Sequence, residues 1–285
     1  MPGYFAAALK RFMVTRTSKP THSAAEFTPI VYGKRIQIAE DDVSPLASAA
    51  QAKFIREVVG VFLYYGRAID ATMVTPLSKL STGQAQPTTR VYDAVLHFLQ
   101  YAATYPDAAL RFHPSKMRLI IWSDASYLSE SNARSRAGGY HYLSAYGDPA
   151  TAKPNGAVDV ISTIIPTVVS AASEAETAAL FINGQAAMPT RNTLADLGYP
   201  QLGTPLITDN TTALGIANNT VRLKRSKAID MRYYWIRDRV KLGDYTVTWG
   251  PGSENMADYF TKTHPPKHCR TVRNQYVHDP HIRTP

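Results

Sequence analysis

The stretch Met117-Arg-Leu-Ile-Ile-Trp-Ser-Asp124 determines how the rest of the sequence is interpreted. Its apolar side chains run almost without a break from Met117 to Trp122, which predicts a buried β-strand. The run stops at Asp124, where small and polar residues follow. An aspartate at the end of a strand is a common turn residue. It is also a place where a rigid element could hold a carboxylate for metal-dependent phosphoryl chemistry. For this strand alone, the turn is the favoured interpretation, so the remaining sequence has to decide.

The composition is that of an ordinary globular protein with a basic surface. The chain has 285 residues, of which 45% are hydrophobic and 19% charged. Its net charge of +9 indicates a polyanionic partner such as nucleic acid, with a well-solvated surface as the alternative. The single cysteine, Cys269, excludes an internal disulfide and a multi-thiolate zinc site. Because we find neither a membrane-length apolar run nor a signal-peptide pattern, we expect a soluble intracellular protein with no membrane partner.

The first part of the chain has a helical pattern. Apolar residues at helical spacing predict four helices, over residues 4–12, 47–65, 69–80 and 87–104. Pro76 could kink the third of them. The acidic run Glu40-Asp41-Asp42 has no hairpin context, so we interpret it as a solvated helix cap and not as a polymerase carboxylate pair.

The second part predicts a mixed α/β sheet. Strand-like runs cover residues 117–123, 138–144, 158–165, 205–208 and 245–249, and helical patterns cover 171–185, 213–218 and 228–242. A last helix is expected from Glu254 to just before Pro265. Three strands in sequence followed by alternating helices and strands favour a mixed sheet over a doubly wound parallel one. The tail beyond residue 268 is basic, and we expect it to be loosely ordered.

Four acidic residues occupy places that a metal centre would use. Asp124 ends the first strand, Asp209 follows a short apolar strand, Glu176 lies inside a helix and Asp258 lies near the start of the last helix. If the two strands are neighbours, their two aspartates emerge side by side, and the helices can bring the other two carboxylates to them. Such a cluster persists only with bound cations, and Mg²⁺ is the hard, oxygen-seeking ion that suits it best. Two ions ~3.5–4 Å apart can activate a water and stabilise the leaving oxygen of a phosphodiester.

The helical glutamates need a choice, because Glu174 and Glu176 point roughly 200° apart around a helix with 3.6 residues per turn. Only one of them can belong to the cluster. Ser173 is a candidate cap for this helix. Each of the four acidic residues, taken singly, is an ordinary turn or cap residue, and the joint pattern carries the hypothesis.

Several segments resemble known sequences. Four of them, in order, are similar to the ribonuclease H domain of copia-type retrotransposon polyproteins: Ser123-Asp-Ala-Ser-Tyr-Leu128, Ser173-Glu-Ala-Glu-Thr-Ala-Ala-Leu180, Thr208-Asp-Asn-Thr-Thr-Ala213 and Asn255-Met-Ala-Asp-Tyr-Phe-Thr-Lys262. Arg225-Ser-Lys-Ala-Ile-Asp-Met-Arg232 is similar to that family's linking helix. The first part resembles the thumb and connection region of its reverse transcriptase, on the segments Met1-Pro-Gly-Tyr4, Tyr32-Gly33, Phe62-Leu-Tyr-Tyr-Gly-Arg-Ala68 and Pro87-Thr88.

The resemblance implies a fold and a domain organisation. The expected fold is a ribonuclease H-like mixed five-stranded sheet with flanking helices, preceded by a mostly helical thumb or connection subdomain. Residues 1–110 would form the helical region, 111–268 the ribonuclease H-like domain, and 269–285 a basic tail. The hairpin with paired aspartates that the family's polymerase needs is not found in the sequence, so we do not expect polymerisation by this chain alone.

The resemblance also implies an activity, which is hydrolysis of the RNA strand of RNA–DNA hybrids. Asp124, Glu176, Asp209 and Asp258 would be the catalytic metal ligands, for two Mg²⁺ ions or alternatively Mn²⁺. Glu176 matches the family's ligand because a small-apolar run follows it. The partners would be the hybrid and other retroelement polyprotein products, in the cytoplasm, a virus-like particle or the nucleus. The alternative is a catalytically idle nucleic-acid-binding remnant.

Other polar and aromatic residues have weaker interpretations. The basic run with Arg222, Lys224, Arg225 and Lys227 either contacts the phosphates of the hybrid or is a solvated helix entry. His264 and His268 are expected on a surface tail, and the three tryptophans in the core. The loop from Trp249 to Asn255 lacks the histidine that several relatives outside the copia type carry there, and Glu254 could partly replace it.

Overall fold

Two structural units account for the residues that the computed structural model describes, which are 3–27, 42–145, 154–221 and 231–279. One unit contains the described residues up to Arg111 together with those from Thr263 onward. The other contains the described residues from Phe112 to Lys262. Within these stretches, no helix combines the length and hydrophobicity that crossing a lipid bilayer requires.

The helical unit is built on four helices that the sequence predicts: α1 (Tyr4–Arg11), α2 (Ala49–Ala68), α3 (Val74–Thr82) and α4 (Thr89–Thr104). Their apolar faces meet in one core, in which Ile55, Phe62 and Phe98 are fully buried. Local sequence sets where the longer helices begin. Ser48 and Gln51 form a capping box at the start of α2, and the Thr88 hydroxyl accepts from a backbone N–H at the start of α4.

A fifth helix of this unit corrects the expectation of a loosely ordered tail. It is α8 (Pro266–Tyr276), with Cys269 and Arg273 buried. Arg273 donates to Asp70 at 2.8 Å and to Asp279 at 2.7 Å. The sequence pattern does not reveal this helix because its buried anchor is an arginine, whose acidic partner at position 70 is remote in the chain.

The second unit contains the five-stranded sheet that was predicted. Its strands are β1 (Arg118–Glu130), β2 (Arg134–Ser144), β3 (Ala157–Ile164), β4 (Thr204–Thr208) and β5 (Tyr245–Trp249), in the spatial order β3-β2-β1-β4-β5. The first three strands pair antiparallel, whereas β1 with β4 and β4 with β5 are parallel. The predicted ribonuclease H-like mixed sheet with flanking helices and preceding helices is thus confirmed.

The helices of this unit differ in length from those predicted. They are α5 (Ala172–Asp196), α6 (Thr211–Ala217) and α7 (Trp235–Lys241). Helix α5 continues through Pro189, beyond the predicted end at residue 185. A 3-10 helix, Met231–Tyr234, precedes α7, and the beginning of the predicted 228–242 helix lies outside the described residues.

The helix predicted from Glu254 onward is wrong. Two short 3-10 helices, Gly252–Glu254 and Asp258–Phe260, take its place. Between them, Asn255 has an extended backbone, and its side-chain oxygen accepts from the Ala257 N–H. This local hydrogen bond competes with a continuous helix.

Two adjacent glycines of β2 let other segments approach both faces of the sheet, because successive side chains of a strand point to opposite faces. On one face, Asn183 of α5 lies directly against Gly139. On the other, a side-chain carbon at Gly138 would lie 2.6 Å from Cγ2 of Thr261. The sheet thus has α5 on one face and the segment from Ala257 to Thr261 on the other.

Candidate metal centre

Strand register brings two of the predicted carboxylates together. In the parallel pair of β1 and β4, Trp122 lies opposite Ile207. Counting two residues onward along each strand places Asp124 next to Asp209, on the same side of the pleat as that pair. Asp124 was expected to end its strand, but β1 continues to Glu130 through its pairing with β2. It stands instead where the pairing of β1 with β4 stops.

Helix α5 adds the third carboxylate. Each of the side chains Asp124, Glu176 and Asp209 offers an oxygen, and these oxygens lie within 4.8 Å of one another. Glu174 is engaged elsewhere, since its Oε2 accepts from the N–H of Ser170 at 2.7 Å. Ser173, the candidate cap, lies inside α5, whose N-cap is Ala171 without a side-chain capping bond. The three carboxylates are called the acidic trio below.

Asp258 is near the acidic trio without being part of it. It begins a 3-10 helix, and its Oδ1 lies 2.5 Å from the Nζ of Lys262. Its charge still acts on Asp124 and Asp209, where it raises the pKa of both carboxyls. The structure therefore brings three of the four predicted residues into one cluster and pairs the fourth with a lysine.

Burial and mutual repulsion perturb these carboxyls strongly. Burial, followed by the charge of Asp258, raises the pKa of Asp124 to about 6, and the hydroxyl of Thr261, which donates to Asp124 Oδ2 at 2.8 Å, opposes that rise. Burial and then the charges of Asp124 and Asp209 raise the pKa of Glu176 well above its usual value. Burial is also the main reason that the pKa of Asp209 is raised. Uncompensated, such a cluster disfavours its ionised form.

A hard divalent cation fits these residues. The Oε2 atom of Glu176 is buried without a hydrogen-bond partner among the residues described. A buried, unpartnered carboxylate oxygen beside two others is costly unless a cation takes it. Carboxylate oxygens are the ligands that Mg²⁺ and related ions prefer. The acidic trio is therefore compatible with a divalent metal ion.

Residues that support the trio were missed by sequence reasoning. Asn255 hydrogen-bonds to Asp209 and also donates to the carbonyl oxygen of Ser123 at 3.2 Å, next to Asp124. Thr261 and Lys262 hold Asp124 and Asp258 as described above. All three residues belong to the motif Asn255–Lys262, so the signal was present in the sequence, but their roles depend on the irregular backbone between the two 3-10 helices.

Three weaker expectations have mixed outcomes. Trp249 was expected in the core, but it is 49% exposed, and its indole N–H donates to the carbonyl oxygen of Asp209. His264 was expected on a surface tail, but it is buried and stacks on His268 at 4.7 Å between ring centroids. Within the described chain, no third ligating side chain joins these two histidines. The basic run Arg222, Lys224, Arg225 and Lys227 lies outside the described residues.

The chain is similar to retrotransposon polyproteins. No family model matches it. It is 27% identical over 174 residues, 61% of this chain, to the retrovirus-related Pol polyprotein from transposon TNT 1-94 of Nicotiana tabacum. It is 23% identical over 257 residues, 86% of this chain, to the transposon Ty1-ER2 Gag-Pol polyprotein of Saccharomyces cerevisiae. The chain spans 12% and 13% of the length of these curated relatives. The resemblance predicted from the motifs is confirmed.

Solved structures to which the chain is similar include ribonuclease H proteins. One is the N-terminal ribonuclease H domain of a Mycobacterium tuberculosis protein, with 13% identity and a TM-score of 0.34 over 56% of this chain and 97% of that one. Another is a ribonuclease H1 isolated from compost, with 14% identity and a TM-score of 0.38 over 51% of this chain and 93% of that one. The compost enzyme has also been solved in complex with an RNA/DNA hybrid.

Proposed function

We propose that this chain is a metal-dependent endonuclease that hydrolyses the RNA strand of RNA–DNA hybrids. The observation that carries the proposal is the meeting of Asp124, Glu176 and Asp209, whose oxygens lie within 4.8 Å of one another where the pairing of β1 with β4 stops. Two buried carboxylates and a partly buried one so close together are hard to explain as turn and cap residues, because their repulsion destabilises the fold unless a cation is bound.

The residues have distinct roles in this proposal. The acidic trio holds divalent ions, two Mg²⁺ or alternatively Mn²⁺, with Asp258 as the fourth ligand. The ions supply activation of a water and stabilisation of charge on the leaving oxygen of the phosphodiester. The chain's own contribution is to keep the carboxylates in place. Thr261 fixes one oxygen of Asp124, and Asn255 links Asp209 to the backbone of β1 at Ser123.

The choice of substrate rests on the resemblance to the copia-type ribonuclease H domain. The 2′-hydroxyl distinguishes RNA from DNA at such a site. The helical region before the sheet, residues 1–110, would correspond to the thumb and connection region, followed by the nuclease domain (111–268) and the basic stretch (269–285). We also propose, from the same resemblance, that the chain associates with other retroelement polyprotein products and is located in the cytoplasm. These remain proposals because the chain covers a small part of its relatives.

The test is cleavage of an RNA–DNA hybrid in the presence of Mg²⁺. The wild-type chain is expected to cut the RNA strand, and Asp124→Asn is expected to lower the rate by about 10²-fold or more, because it removes charge on which the reaction depends. Asp196→Asn, at an exposed position of α5, is the matched control and should cut like the wild type. Equal rates for wild type and Asp124→Asn would refute the nuclease. If both still bind the hybrid, the idle nucleic-acid-binding alternative would be favoured.

The basic run is proposed to contact phosphates of the hybrid without reading its sequence. Replacing Lys224 and Arg225 with alanine should then flatten the dependence of hybrid affinity on salt concentration, since fewer counterions are released on binding. An unchanged slope would instead assign these side chains to solvent.

A further inference from the structure

The side chain of Lys262 has no role in the function proposed above, although it lies at the candidate metal centre. Its Nζ atom is 2.5 Å from Oδ1 of Asp258, four residues earlier in the chain. Both side chains are partly shielded from solvent, with 43% and 35% exposed. The pair therefore differs from the ordinary surface salt bridge, in which two exposed side chains hold each other weakly.

The ammonium group also lies in the field of the acidic trio. Burial alone would lower the pKa of Lys262, but Asp258, and after it Asp124 and Asp209, raise that pKa. A lysine side chain is a cation at neutral pH, and this one contacts Asp258 directly. The four carboxylates repel one another, and Lys262 supplies one positive charge that offsets part of this repulsion.

The position of this charge matters for metal binding. Asp258 is the one predicted ligand that does not join the acidic trio, and it is the one that Lys262 contacts. The preceding residue, Thr261, donates to an oxygen of Asp124. Two consecutive residues therefore each occupy a carboxylate oxygen of a predicted ligand. A divalent ion bound to this carboxylate at the usual ~2.0–2.1 Å would lie close to the ammonium that contacts Oδ1 at 2.5 Å. The two positive charges would repel each other and share the negative charge of one carboxylate.

From this geometry we propose that Lys262 is a built-in cation that competes with the second divalent ion for Asp258. The free protein then takes one ion at the acidic trio, and the second ion binds more weakly because the ammonium beside Asp258 repels it and already neutralises part of that carboxylate's charge. This inference deepens the proposed function, on which it rests for its catalytic meaning. The competition itself is a property of the protein and metal alone, so it can be measured without nucleic acid.

The test is a calorimetric titration of the full chain with Mn²⁺ in the absence of nucleic acid. Lys262→Met keeps the length of the side chain and removes its charge, and it should tighten binding of the second ion by about 10-fold or more. Lys262→Arg keeps the charge and should titrate like the wild type. Adding Asp258→Asn to Lys262→Met should abolish the gain. Lys241→Met, at the exposed last position of α7, is the matched control and should leave both binding steps unchanged.

The outcomes separate this inference from the nuclease proposal. Identical isotherms for the wild type and Lys262→Met, with both proteins folded by circular dichroism, would overturn the competition. A tighter second site in Lys262→Met without any hybrid cleavage by the wild type would support the competition and reject the nuclease. If the nuclease proposal is right, Lys262→Met should also reach half-maximal cleavage at a lower Mg²⁺ concentration than the wild type.

Discussion

Asp124 illustrates how a predicted ligand makes the fold less stable when no cation is present. Burial and the charges around it raise its pKa to about 6, whereas an aspartate in an unfolded chain titrates near ~3.9. The folded state therefore holds the proton more tightly than the unfolded state does. As pH rises from about 4 to about 6, the unfolded state is favoured progressively, and the full loss of stability is present above pH ~6.

Removing this charge should stabilise the metal-free protein. In a chelating buffer at pH 8, we expect Asp124→Asn to raise the free energy of unfolding by about 1–3 kcal/mol, with a smaller gain at pH 4. Urea denaturation at the two pH values measures the difference. Asp196→Asn, where the carboxylate is exposed on α5, should leave the free energy nearly unchanged at both. If Asp124→Asn raises the free energy of unfolding equally at pH 4 and pH 8, the ionised Asp124 carboxylate is not the cause of the instability.

Single residues also mark the limit of what the sequence predicts about the site. The approach of Asp124 to Asp209 could be predicted because the parallel pairing of two neighbouring strands sets their register, although β1 itself continues beyond Asp124. Lys262 could not, because its contact with Asp258 depends on the irregular backbone around a 3-10 helix. Trp249 was wrongly expected in the core because it follows a strand pattern, although β5 is an edge strand and its last residue is half exposed.

At the scale of secondary structure, α5 contains an internal proline that weakens it. Pro189 lies at an exposed position inside the helix, and it has no N–H to donate to the carbonyl of Gln185. Pro189→Ala should restore that hydrogen bond and raise the free energy of unfolding by about 1–3 kcal/mol. Urea denaturation measures the gain. Thr193→Ala, at another exposed position of α5, should raise the free energy of unfolding by only a few tenths of a kcal/mol. Equal gains for the two substitutions would show that the hydrogen bond missing at Pro189 does not limit the stability of α5.

Helices and strands were predicted well where the local apolar pattern determines them, and poorly where contacts with residues distant in the chain determine them. The strands and the helices α1–α4 follow from apolar periodicity, and β5 was predicted at its observed bounds. The end of α5 was placed too early, at residue 185, whereas the helix continues through Pro189 to Asp196. The second half of β1 was missed because Asp124 and the small residues Ala125 and Ser126 interrupt the apolar run, although pairing with β2 continues the strand. Helix α8 was missed because its packing depends on Asp70 and Asp279, which its own sequence does not reveal.

At the scale of the whole molecule, Arg273 fastens the last described helix to the helical unit. It is buried, and it pairs with the buried carboxylates of Asp70 and Asp279. Arg273→Met would leave both carboxylates without their partner, which should destabilise this unit by about 3–5 kcal/mol. Hydrogen exchange should report lost protection in α2, α4 and α8. Arg270→Met, on the exposed side of the same helix, is the control, and equal protection in the two variants would show that the pair contributes little.

The link between Asp70 and Arg273 joins residues 203 positions apart, with the whole sheet encoded between them. A ribosome therefore completes the sheet before it releases the helix that the earlier unit needs. The helical unit, whose helices α1–α4 are synthesised before the sheet, is therefore completed after it, when α8 is made. In the interval the apolar faces of α2 and α4 are available for contact with other chains. Folding of the helical unit during synthesis should accordingly depend on protection of α2 and α4 until α8 has been made.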